Sequence, residues 1–267
     1  MDELLSNPAV QAGAAPFLAA LIVAVALRPL KLSGLAATAA FLTTVYFVAG
    51  FQFTPLSATR KMIAVALAAP VIGILADFAF RPTRLGAALL ALAAGGAAWW
   101  AFGPVLANRP AGEAAVLLAT AVVVAVFVVG FSQAALAADG VRAGAAALAL
   151  GVGAGVAAIF SASVAYGSYG LALGAGAGAF LLPQMIAGSK SHAGATFVLP
   201  AMLVAALVTI GAMTLAKMPW HVVAVLGLVP LAVRLPGPER APVWLQAVIF
   251  SLYGFAVAGI ACWLAWP

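Results

Sequence analysis

The chain has 267 residues, of which 66% are apolar and only 7% charged; twelve Lys/Arg against six Asp/Glu leave a formal charge of +6. A soluble globular domain carries about 25% charged residues, and a disordered chain is poor in apolar ones, so both classes are excluded. What remains is an all-α, polytopic integral membrane protein. In lipid each backbone N–H and C=O needs a partner within its own segment, so long apolar runs become helices, and one crossing takes roughly 20 residues.

The start, Met1-Asp2-Glu3-Leu4-Leu5-Ser6-Asn7-Pro8, is acidic. A secretory signal opens on a positive stretch, so the first apolar run reads as a retained helix. In chain order about ten spans are expected, near residues 9–27, 33–53, 61–79, 85–103, 113–135, 143–163, 168–187, 196–215, 220–233 and 243–265. Pro and charge punctuate them at Arg28-Pro29, Arg81-Pro82-Thr83-Arg84, Asn108-Arg109-Pro110, Asp139-Gly140 and Arg234-Leu235-Pro236-Gly237-Pro238, as expected of a residue that is costly inside helices. The ninth run is short and carries Pro230, which reads as a kinked or re-entrant piece, and only uncharged residues 161–168 part the sixth from the seventh. The range is therefore eight to ten helices in one bundle with short loops. Residues 1–267 form a single transmembrane domain, with possible halves 9–135 and 143–265 that share no visible repeat.

Cytoplasmic loops of membrane proteins carry the excess of Lys/Arg. Ten spans with the N-terminus outside put eight of the twelve cations inside and leave Arg60, Lys61, Arg109 and Lys217 outside. Both termini are then periplasmic, in a bacterial inner membrane. The six tryptophans fall near segment ends, where an aromatic belt belongs. Gly151/Gly155 in the sixth run and Gly170/Gly174/Gly178 in the seventh have the small-xxx-small spacing of close helix packing. The single Cys262 excludes an internal disulfide.

Polar groups at membrane depth are functional candidates by default. Gln52, Thr54 and Ser57 gather around Pro55 and run into Arg60 and Lys61, two cations on the cation-poor side. At a helix N-terminus such cations and the free N–H groups would attract an anion. Asp77 sits four residues before Arg81, close enough to pair along one helix face or to serve as a gate or ion site. Ser132, Gln133 and Gln184 add uncharged polar groups, and Ser161, Ser163, Tyr166, Ser168 and Tyr169 could join Gln52 and Arg60 around an outward-facing cavity. Glu113 opens a helix where a carboxylate suits the dipole, and Asp139 reads as a solvated turn residue. No Walker, HExxH or GxSxG motif is present, and the cations are too scattered for nucleic acid, so neither cofactor nor metal is expected.

These features support a small permease that moves a small polar or anionic substrate by alternating access. A cavity near mid-membrane, lined by Gln52, Thr54, Ser132 or Gln184, is its structural signature. A filled centre would favour the alternative, a non-catalytic subunit or assembly factor of a larger membrane complex. A cavity at headgroup depth with converging ionisable groups would favour a lipid-modifying enzyme. The expected partners are membrane lipids, the substrate and, on the second reading, other membrane subunits.

Overall fold

A computed structural model describes residues 7–79 and 83–266. Among these the chain is helical throughout, with no strand. In chain order the helices are α1 (Val10–Ala26, opening on a π-helical turn), α2 (Ser33–Val48, opening on a 3-10 turn), α3 (Ala58–Ala79), α4 (Arg84–Leu106) and α5 (Ala111–Ala135). There follow α6 (Gly140–Phe160), α7 (Val164–Ala187), α8 (Gly194–Leu215), α9 (Trp220–Val233, broken at Leu228) and α10 (Val243–Ala265). Seven of them, α3 to α8 and α10, are long and apolar enough to cross a membrane, as a polytopic bundle requires. The other three of the expected ten are shorter: α1, α2 and α9 have 10–17 residues, so length and composition do not confirm a count of ten.

The boundaries moved for local reasons. Helix α2 ends at Val48 rather than near residue 53, because Gly50 turns into the left-handed region at φ +65° and an irregular stretch follows as far as Ser57. Helix α6 begins at Gly140, because Asp139 Oδ1 accepts the N–H groups of Val141 and Arg142 at 3.0 and 3.2 Å. Asp139 is therefore an N-cap, not merely a solvated turn. Ser163 caps α7 through the Tyr166 N–H in the same way, which starts that helix earlier than expected.

Contacts sort the helix ends onto two faces. On one, named here after Asp139, Arg28 after α1 donates to Ser189 after α7 at 3.0 Å, Asp77 of α3 reaches the start of α8, and Arg142 of α6 reaches the end of α9. On the other, the Lys61 face, Thr59 of α3 meets Tyr166 of α7, Lys61 meets Trp100 of α4, and Arg109 before α5 meets Thr214 of α8. There too Phe160 of α6 packs edge-on against Trp266, centroids 4.8 Å apart. All six tryptophans are exposed.

Helix α8 is the axis of the bundle. It contacts α2, α3, α4, α5, α6, α7 and α9, and every residue from Gly194 to Thr214 is buried. Apart from Thr196, Thr209 and Thr214 its residues are apolar on every side, and a helix with no charged or strongly polar stripe belongs in such a position. Helices α6 and α7 pack backbone to backbone: a methyl group on Gly170 would lie 2.4 Å from the Gly155 nitrogen, and one on Gly151 would lie 2.6 Å from the Gly174 nitrogen. The spaced glycines of these two helices therefore face each other, as small-residue packing in lipid requires.

Candidate functional site

The polar stretch between α2 and α3 lies on the Lys61 face. Gln52, Thr54 and Ser57 are exposed there rather than directed into the bundle. Ser57 caps α3: its carbonyl accepts the Lys61 N–H at 2.9 Å, and its hydroxyl accepts the Arg60 N–H at 3.4 Å. The two cations part company. The Arg60 guanidinium folds back onto the Pro55 carbonyl at 2.7 Å. The Lys61 ammonium instead crosses to α4, donating to the Trp100 carbonyl at 3.2 Å and resting 5.1 Å from the centre of the Trp100 ring. Thr59 and Tyr166 share a hydroxyl–hydroxyl bond of 3.0 Å beside them. Of the other hydroxyls expected around a cavity, Ser161 and Ser168 are spent locally, donating to carbonyls one turn back at 2.9 and 3.0 Å.

Clefts open on this face on either side of the start of α5. One, of about 430 Å³, lies between the end of α4 and the start of α5 with Lys61 at its edge; its walls include Trp99, Trp100, Gly103, Pro104, Ala114 and Leu118. The other, of about 570 Å³, lies where α5, α8 and α9 meet and holds Arg109, Glu113 and Lys217 beside Met213, Met218 and Trp220. Arg109 pairs with Glu113 and donates to the Thr214 carbonyl at 2.9 Å. A cation at the last carbonyls of α8 complements the negative end of that helix. Sequence reasoning used Arg109 only for topology, since Thr214 lies 105 residues away along the chain.

The remaining candidates belong to the Asp139 face. Asp77 accepts the N–H groups of Ala195 and Thr196 and the Thr196 hydroxyl, each at 2.7 Å. It thus caps α8 from another helix. Its expected partner Arg81 lies outside the described residues. Two glycines make the approach possible. Gly73, one turn before Asp77, leaves room for the Ala195 carbonyl, and Gly194 has φ +63° with the Asp77 carboxylate where a side chain would stand. Gln184 is buried, accepting the Ser191 N–H at 3.0 Å and donating to the Phe180 carbonyl at 3.1 Å. It therefore ties the α7–α8 connection down. Ser132, fully buried, and Gln133, half-buried, lie in the last turn of α5, and neither the Ser132 hydroxyl nor the Gln133 amide nitrogen has a partner among the described residues.

Arg142 was overlooked as anything but a loop cation. It is 4% exposed, donates to the Val233 and Leu235 carbonyls at 2.8 and 3.0 Å, and stacks on Phe250 at 4.0 Å. It closes the end of α9. Asp139 and Glu239 lie 3.8 and 3.7 Å from its guanidinium, so the buried charge is compensated.

The nine candidate residues thus divide between opposite faces. Gln52, Thr54, Ser57, Arg60 and Lys61 lie on one, and Asp77, Ser132, Gln133 and Gln184 on the other, with the apolar length of α8 between them. What the Lys61 face offers instead is an amphipathic surface at helix ends. No protein-family model matches the chain, and no curated protein matches it significantly.

Proposed function

We propose that this protein is a small ten-span permease of a bacterial inner membrane, with both termini on the periplasmic side and the Lys61 face outward. The substrate is a small anion or anionic amphiphile. The observation that carries the reading is the clamping of α8 at both ends by charges of opposite sign, one from helix α3 and one from the α4–α5 connection. Asp77 holds its positive end on the Asp139 face, and Arg109 its negative end on the Lys61 face. Alternating access needs a central element released on one face while held on the other, and two independent polar clamps supply that. Their separation also means that either can open without the other. Helices α1, α2 and α9 join ends on opposite faces, which supports counting them as crossings with local thinning of the bilayer. At 1.5 Å per residue they reach about 21–26 Å against a hydrocarbon core of about 30 Å.

The filled centre favours a second reading, in which the bundle is a rigid subunit of a larger membrane complex. Cysteine accessibility separates the two. In a Cys262→Ala background carrying Ala205→Cys, within the buried length of α8, a membrane-impermeant maleimide is added from either side of oriented vesicles. For a permease, Asp77→Asn increases labelling from the Asp139 side and Arg109→Gln from the Lys61 side, each several-fold. A cysteine at 205 that stays unlabelled in both variants overturns the permease reading and leaves the rigid subunit.

A further inference from the structure

Lys61 is a half-buried cation with no ion-pair partner among the described residues. Glu113, the acid lining the neighbouring cleft, is taken by Arg109. An ammonium held against an apolar wall is costly without a counter-charge. Of its three N–H donors, the Trp100 carbonyl uses one. The cleft beside it is walled by aliphatic and aromatic groups and lies between two helices. Its volume, about 430 Å³, falls in the range of small-molecule sites, roughly 300–1,000 Å³.

From this charge complementarity we propose that the α4–α5 cleft binds a single-chain carboxylate amphiphile of the fatty-acid class. The alkyl chain lies on Gly103, Pro104, Ala114 and Leu118, and the carboxylate sits on the Lys61 ammonium. A single lysine is a point charge suited to a monoanion. Phosphate recognition favours the arginine fork, and the two arginines of this face are occupied, Arg60 by the Pro55 carbonyl and Arg109 by Glu113 and the Thr214 carbonyl. The site stands whether or not α8 moves.

The test is quenching of tryptophan fluorescence by 12-bromododecanoate, with the full chain in phosphatidylcholine nanodiscs. Trp99 and Trp100 in the cleft wall are the reporters. Bromododecanoate should quench saturably and at least tenfold more tightly than bromododecanol. Lys61→Gln should abolish that preference and Lys61→Arg keep it. Ala114→Leu, which fills the cleft, should weaken both ligands, and Trp99→Phe should remove part of the saturable signal. Equal binding of alcohol and acid, a preference that survives Lys61→Gln, or saturable quenching unaltered by Ala114→Leu and Trp99→Phe would each overturn the site. Tighter binding of bromododecyl phosphate than of the carboxylate would overturn the carboxylate assignment. Circular dichroism melts on each variant separate loss of binding from loss of fold.

Discussion

Asp77 shows how a single side chain can serve a helix it does not belong to. Its carboxylate occupies the place that an N-cap residue would fill for α8, whose own flanking residue, Ala193, offers no acceptor. Loss of a cap costs about 1 kcal/mol, within a range of roughly 0.5–2, so Asp77→Ala should lower the thermal midpoint in detergent by a few degrees. Asp77→Asn, which retains one acceptor oxygen, should cost less; equal losses for the two variants would argue against the cap. The aspartate could be singled out in the sequence as an acid near a helix end. Its partner could not, because Ala195 lies 118 residues further on and only the fold brings the two together. Arg142 was hidden for the same reason. Its hydrogen-bond partners are main-chain carbonyls, and a carbonyl has no residue identity to read. Lys61 was the reverse case: its place on the cation-poor side marked it as unusual before any geometry was known.

At the scale of the helix, hydropathy located the segments well because the membrane imposes a length on them and proline and charge mark their ends. The shifts that occurred, at Gly50, Ser163 and Gly140, came from capping geometry and a positive φ, which mean hydropathy does not register. The glycine spacing of α6 and α7 was the most informative pattern in the chain: it marked both helices for close packing, and the structure shows that they pack on each other. A methyl group there has nowhere to go, being 2.4 Å from the Gly155 nitrogen when placed on Gly170. Gly170→Ala should therefore cost about 1–3 kcal/mol by overpacking, seen as a lower midpoint in a thermal melt. Gly96→Ala, in the interior of α4 with open space around it, is the control and should hold or raise the midpoint, since Ala favours a helix over Gly by about 1 kcal/mol.

For the whole molecule, the charge asymmetry of the loops is the basis of the proposed orientation, which fusions at the helix ends can test. Alkaline phosphatase fused after Pro267 should be active, because that enzyme matures in the periplasm; a fusion between Ser189 and Lys190 should be inactive. The opposite pattern would reverse the topology while leaving the fold untouched. The site was harder to read than the fold because a cavity belongs to no residue. The wall of the α4–α5 cleft is drawn mainly from two helices whose sequences, Ala- and Gly-rich, look like any other membrane packing surface. Only the lysine that α3 contributes to its edge distinguished it.

The enclosure of α8 has a consequence for how the protein is made. Six of the seven helices that surround it, α2 to α7, precede it in the chain, and only α9 follows. The chain is synthesised from its N-terminus, so α2 to α7 are made before α8. When α8 leaves the ribosome, most of its seat is already in the bilayer, including the Asp77 acceptor that receives its first turn. The helix at the centre of the finished protein is thus a late arrival inserted into a ring that waits for it. A chain terminated and released after Leu215 should already bury most of α8, whereas one lacking α3 should leave that segment facing lipid.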